Sequence, residues 1–124
     1  MNPKKTVMVI EDSASVRQAI CGALSEAGYE YLEAADGTQA IAQLDGRKVN
    51  LIICDVNMPN MDGITFVKEM RTMESYKFTP VIMLTTESAE AKRLQGQMAG
   101  AKAWVVKPFR PEQMMTAIAK LIRP

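Results

Sequence analysis

Leu51-Ile52-Ile53-Cys54-Asp55 is an unbroken apolar run that closes on a carboxylate. A strand with one wet face alternates polar and apolar residues. A short continuous apolar run instead marks a strand covered on both faces, as in a parallel sheet. Thr6–Ile10, Val81–Leu84 and Ala103–Val106 have the same character, and Pro80 sits at the start of Val81–Leu84, where a missing N–H is tolerated. Tyr29–Ala34 differs, since Glu30 and Glu33 interrupt Tyr31 and Leu32 as expected of a half-exposed edge strand.

Helical patterns lie between these runs. Val16, Ile20, Ala23, Leu24 and Ala27 recur at helical spacing and stop at Gly28. Asp36 and Gln39 form a plausible capping box for a helix carrying Ala40, Ile41 and Leu44 and ended by Gly46. Ile64, Val67 and Met70 mark the third helix. Ser88 caps a fourth, bearing Ala91, Leu94 and Met98 and stopped by Gly100; Pro111 opens a fifth, with Met114, Met115, Ile118, Leu121 and Ile122. Five strands alternating with five helices predict an α/β, doubly wound (βα)5 flavodoxin-like fold. Its five-stranded parallel sheet has the order 2-1-3-4-5, with helices on both faces joined by right-handed crossovers.

The 124 residues make one domain, 1–124, with no linker, no repeat and no output domain expected after the last helix. Hydrophobic residues at 48% and charged residues at 23% are those of an ordinary globular chain. The formal net charge of +1 argues against broad attraction to nucleic acid or membrane. There is no histidine, which excludes Ser-His-Asp and Cys-His catalysis, His-ligated zinc or haem, and a histidine phosphocarrier. Cys21 and Cys54 stand far apart and read as small buried hydrophobes, and Met70, Met114 and Met115 as core fillers. With no apolar leader and no run long enough to span a bilayer, the chain is expected to be cytoplasmic and reduced.

In an open α/β sheet, ligands gather beyond the carboxyl ends of the strands. Glu11 and Asp12 follow the first strand, Asp55 and Asn57 the third, Thr85 and Thr86 the fourth, and Lys107 the fifth. Singly, each is ordinary at a strand end; together on one rim they make a site. Three carboxylates at close range repel, and a hard divalent cation with oxygen ligands and retained waters relieves the repulsion. An ammonium on the other side of Asp55 completes an arrangement suited to phosphoryl transfer onto that carboxylate.

These residues stand in the stretches Val9-Ile10-Glu11-Asp12-Ser13, Leu51 to Pro59, Met61-Asp62-Gly63, Met83-Leu84-Thr85-Thr86 and Ala103-Trp104-Val105-Val106-Lys107-Pro108-Phe109. Taken together, they resemble bacterial response-regulator receiver domains, most of all the single-domain, CheY-like chemotaxis group, over essentially the whole chain. The resemblance implies a two-component phosphorelay. Asp55 would accept a phosphoryl group from a histidine kinase and would catalyse its own phosphorylation and dephosphorylation. Mg2+ (or Mn2+) would be held by Asp12, Asp55 and the Asn57 carbonyl, with Glu11 acting through a water. Thr85 and Lys107 would contact the phosphoryl group, and the Lys107–Pro108 bond would be cis.

Glu11 stands where many relatives carry Asp, and Trp104 where the switch aromatic is usually Tyr or Phe. Asn57 and Glu87 are the residue types of rapidly self-dephosphorylating chemotaxis relatives. The fourth helix, the fifth strand and the fifth helix would form the target face, with Lys92, Trp104, Val106 and Arg110 on or near it. The implied partners are a kinase, a downstream target (the flagellar motor switch foremost) and a phosphatase, and the implied state is a monomer. Three other readings remain: a non-chemotaxis phosphorelay receiver, a pseudo-receiver serving only as an interaction domain, and a phosphatase using Asp55 as nucleophile. Asn57 disfavours the last, since such enzymes need a second acid there. A nucleotide-binding protein is disfavoured by the lack of a glycine-rich phosphate loop.

Overall fold

The computed structural model describes residues 4–86 and 101–122. In chain order they form β1 (Thr6–Ile10), α1 (Ala14–Glu26), β2 (Glu30–Ala34), α2 (Gly37–Gln43), β3 (Leu51–Asp55), α3 (Gly63–Met70), β4 (Val81–Thr85), β5 (Ala103–Val106) and α4 (Pro111–Leu121). The strands make one sheet in the order β2-β1-β3-β4-β5, every pair parallel. This is the expected doubly wound topology. The helix expected from Ser88 to Met98, with Lys92 and Glu87, lies outside the described residues.

Strand parity divides the core. Met8, Ile10, Ile52, Cys54, Val81 and Met83 pack on one face with Ala40 of α2 and Phe66, Val67 and Met70 of α3. Val7, Val9, Leu51, Ile53, Ile82, Leu84 and Val105 pack on the other, with Ile20, Cys21 and Leu24 of α1 and Met114 and Ile118 of α4. All five residues of β3 are buried, as an unalternated run requires. Each large side chain so buried contributes about 1.5–3 kcal/mol relative to exposure. Both cysteines are buried and free. Of the methionines expected in the core, Met70 and Met114 are buried, while Met115 only flanks its cluster.

Local chemistry sets the helix ends. Ser13, Asp36 and Asp62 cap α1, α2 and α3 by accepting the N–H groups of Val16, Gln39 and Thr65. Gly28, at φ 91°, provides the left-handed turn after α1. The capping box at α2 is half formed. Asp36 accepts the Gln39 N–H at 2.8 Å, but Gln39 Oε1 takes the N–H of Ala35 instead of that of Asp36. The Asp36 backbone is fully extended, at φ −158° and ψ 176°, as a residue preceding the first helical turn. The helix also ends at Gln43, before Gly46.

Gly63 opens α3 directly beneath the end of β3. Its N–H donates to the Val56 carbonyl at 2.9 Å, and a Cβ at this position would lie inside the contact distance of the Asp55 carbonyl oxygen. The obstructing atom is backbone and has nowhere to go. We expect Gly63→Ala to lower the unfolding free energy by about 2–3 kcal/mol in urea titrations, through displacement of the β3–α3 turn. A change under about 0.5 kcal/mol would show that the turn can shift freely.

Candidate functional site

The carboxyl ends of β1, β3, β4 and β5 bring the sequence candidates to one rim. Glu11 extends the β1–β2 ladder by one rung, its N–H donating to the Ala34 carbonyl at 3.0 Å. Its side chain is fully buried. Oε2 accepts the Ser13 N–H at 2.9 Å, and Oε1 lies 2.6 Å from Lys107 Nζ as an ion pair. Asp55 is the last residue of β3 and is 3% exposed; its Oδ2 accepts from Lys107 Nζ at 3.2 Å. Asp12 stands beside them, exposed. Glu11, Asp12 and Asp55 each offer a carboxylate oxygen within 4.8 Å of the other two.

Lys107 therefore does more than expected from sequence. It was placed on the far side of Asp55; instead its ammonium lies between Glu11 and Asp55 and pairs with both. The Lys107–Pro108 peptide is cis, as the resemblance implied. The extra methylene of Glu11 carries its carboxylate to the ammonium.

Electrostatics follow from the crowding. Burial, the largest influence, pushes the Glu11 carboxyl up to about 6; Lys107 and the Ser13 N–H oppose the rise, while Asp12 and Asp55 add to it. Burial alone would lower the Lys107 ammonium, but Glu11 and Asp55 outweigh it and raise it above its usual value. Burial also drives the Cys54 thiol far up, with the Asp55 charge adding to it, so that it stays protonated next to the rim.

Thr85, the last residue of β4, is 1% exposed, and its Oγ1 has no hydrogen-bond partner among the described residues. Thr85 pairs in register with Val106, and Met83 with Trp104. By strand parity Thr85 and Trp104 share the α2–α3 face, and the half-buried indole packs against that cluster. The indole Nε1 is also buried without a partner among the described residues. Asn57 and Arg110 are exposed, Val106 is half-buried, and Arg110 caps α4 with backbone only.

Arg17 was not singled out from sequence. Its Nη1 donates to the Glu11 carbonyl at 2.6 Å, and its Nε pairs with Glu33 at 3.1 Å. It thus ties the loop carrying the acids to β2. Only the adjacency of α1 and β2 creates this contact, so local sequence carries no signal for it.

Residues 7–119 match the response regulator receiver domain family. The chain belongs to that family. Among solved structures, the chemotaxis protein CheY4 of Vibrio cholerae is 42% identical with a TM-score of 0.89, covering 97% of this chain and 100% of its own. The chemotaxis protein CheY1 of Helicobacter pylori is 39% identical over 108 residues, which are 86% of this chain and 87% of its own. The phosphate regulon transcriptional regulatory protein PhoB of Pseudomonas aeruginosa is 35% identical over 119 residues, 96% of this chain and 52% of its own. This receiver domain spans about half the length of PhoB and of the similar transcriptional regulators. Among the described residues no helix is long and apolar enough to cross a membrane.

The buried acid at the centre of the rim sets a pH dependence. Folding raises the Glu11 carboxyl from 4.5 to about 6, so between those values the folded chain binds more protons than the unfolded one. Stability therefore falls as pH rises through that window. Without divalent cations, we expect the wild type to lose on the order of 1–2 kcal/mol relative to Glu11→Gln across it, read from urea midpoints at a series of pH values. Parallel profiles for the two proteins would contradict a raised Glu11.

Proposed function

We propose that the chain is a phosphorylation-driven switch in which Asp55 is the phosphoryl acceptor. The observation that carries this reading is the buried Asp55 carboxylate, gathered with Glu11 and Asp12 in one acid cluster and paired with the Lys107 ammonium that it shares with Glu11. The donor is a phosphohistidine of a histidine kinase. An Asp55 carboxylate oxygen attacks phosphorus, the P–N bond breaks, and its electron pair leaves with the imidazole, which takes up a proton. Hydrolysis reverses the gain: water attacks the phosphoryl group and Asp55 leaves as carboxylate.

The donor set fits a hard divalent cation. Three oxygen ligands lie close together, and Asp12 is exposed and open to a hydrated ion. Asp12, Asp55 and the Asn57 carbonyl would hold Mg2+, and Mn2+ suits the same ligands. Glu11, with one oxygen on Ser13 and the other on Lys107, would act through water. When bound, the ion neutralises charge on the transferring oxygens. Lys107 orients Asp55 before transfer and meets the phosphoryl group after it. The buried Thr85 hydroxyl, without a partner among the described residues, is a donor for a phosphoryl oxygen. Asn57 and Glu87, two residues beyond Asp55 and Thr85 in sequence, are assigned to guiding the hydrolytic water, giving self-dephosphorylation on a scale of seconds to minutes.

Phosphorylation adds about −1.5 to −2 charge and three acceptor oxygens, enough to bias a two-state surface. In this reading Thr85 turns toward the new group and Trp104, on the same sheet face, follows it inward. Val106, Arg110 and the segment bearing Lys92 then present the altered target face. The similarity to CheY4 and CheY1, most of whose length it covers, supports a chemotaxis regulator; in this reading it is cytoplasmic and monomeric and acts on the flagellar motor switch, with a phosphatase as a further partner. The PhoB match supports a second reading, a receiver in a different phosphorelay.

Intact mass after incubation with a small acyl phosphate tests the core of this reading. We expect one phosphoryl adduct that requires Mg2+ and is absent from Asp55→Asn, with Trp104 emission changing in step. No adduct under any condition would favour a pseudo-receiver. An adduct without an emission change would remove Trp104 from the switch.

A further inference from the structure

The β2–α2 turn holds the β3–α3 loop by a side-chain latch. Asn60 Nδ2 donates to Asp36 Oδ2 at 2.7 Å, while the other Asp36 oxygen accepts the Gln39 N–H at 2.8 Å. Asp36 is only 6% exposed. The Gln39 N–H, and after it the Asn60 amide, hold the Asp36 carboxyl below its ordinary range, so it is a charged acceptor at neutral pH. Beside this bond the Gly37 N–H donates to the Met61 carbonyl at 3.3 Å. A Cβ on Gly37 would meet the Met61 side chain at 2.8 Å, so the two turns sit in close contact.

The loop needs such a hold. Asn60 has φ 67°, a left-handed conformation that asparagine tolerates better than most residues. Met61 N–H bonds back to the Pro59 carbonyl at 2.7 Å, within the loop itself. Among the described residues, the bonds to Asp36 and from Gly37 are the hydrogen bonds that join residues 57–61 to another segment. Asn57, with its proposed carbonyl ligand and its proposed water-guiding amide, stands at the near end of this stretch.

We infer that Asp36 and Asn60 are a positioning pair for the phosphoryl site, fixing the β3–α3 loop so that Asn57 meets the cation and the hydrolytic water. The inference rests on the proposed function of the rim. Neither residue touches the reacting atoms; the pair acts through the loop. Met58 and Pro59 lie between Asn57 and the latch, so a slack loop displaces the carbonyl of Asn57 before it disturbs Asp55, which is held by β3.

The hydrogen bond has a polarity that can be reversed. In Asn60→Asp two carboxylates face each other and the bond is lost, although aspartate also tolerates the left-handed backbone. In the double variant Asp36→Asn, Asn60→Asp, the amide at 36 donates to the carboxylate at 60, its oxygen still accepts from Gln39, and net charge equals that of the wild type. Asn60→Gly removes the amide and keeps the backbone freedom. The experiment measures Mg2+ affinity of the unphosphorylated protein by calorimetry, the lifetime of the phosphoryl adduct by mass, and the thermal midpoint.

Loss of a supporting partner behind a metal ligand typically weakens binding by 10–100-fold. We expect Asn60→Asp and Asn60→Gly to weaken Mg2+ binding by about tenfold and to lengthen the adduct lifetime, and the double variant to return both toward wild type. The added negative charge of Asn60→Asp would by itself strengthen Mg2+ binding, so weakening cannot be a charge effect. Wild-type affinity in both single variants would overturn the inference. Recovery of the thermal midpoint in the double variant without recovery of affinity would overturn it too, leaving the latch a purely structural contact. Absence of Mg2+ uptake and adduct in the wild type would instead overturn the reading of the rim itself.

Discussion

The Lys107 ammonium between Glu11 and Asp55 is the interaction on which the rim depends. Two carboxylates removed from water at this distance cannot both stay charged without a counter-charge. Lys107 provides it from the loop after β5, reaching past β4 to Asp55 at the end of β3 and to Glu11 after β1. The ion pair therefore links opposite parts of the sheet, and the registers of β1, β3, β4 and β5 must all be right for it to form. A one-residue slip would carry Asp55 to the other face of the sheet. The same crowding that makes the site costly to build makes it receptive to a cation and to a phosphoryl group, whose arrival changes every balance in it.

Strand parity turns the sheet into a conduit between chemistry and surface. Asp55 follows the parity of Ile53, toward α1 and α4, whereas Thr85 and Trp104 share the opposite face with α2 and α3. A change at the rim can therefore be read on either side. Two buried polar atoms on the second face, the Thr85 hydroxyl and the Trp104 indole N–H, have no hydrogen-bond partner among the described residues. Unsatisfied buried groups of this kind carry a desolvation cost of about 1–3 kcal/mol each, which a rearrangement that satisfies them would recover.

The positions of β1, β3, β4 and β5 were legible because short apolar runs alternate with helical patterns, although β3 and β4 each run one residue further, onto the polar Asp55 and Thr85. Residues at strand ends were legible as a site because the parallel sheet delivers all of its carboxyl ends to one rim. Three features were not. The sharing of Lys107 between two acids depends on side-chain reach across the rim. The capping box at α2 depends on how the chain enters the helix, and there Gln39 found Ala35 first. Arg17 and the Asp36–Asn60 pair join segments 16 and 24 positions apart, and no local periodicity encodes which turn will lie against which.

By itself the sequence determined the alternation of buried strands and amphipathic helices, the cap at Asp36, and the identity of the residues on the rim. These follow from short-range physics: side-chain period, N–H groups seeking acceptors at helix starts, and the delivery of strand ends to one edge. Tertiary structure alone decided which oxygen faces which donor. It placed the ammonium of Lys107 between two carboxylates, raised Glu11 by burying it, buried the Thr85 hydroxyl and the Trp104 indole N–H, and latched one loop to another. Those outcomes turn on distances of 2.6–3.2 Å between groups far apart in the chain, set only when both faces of the sheet are packed at once.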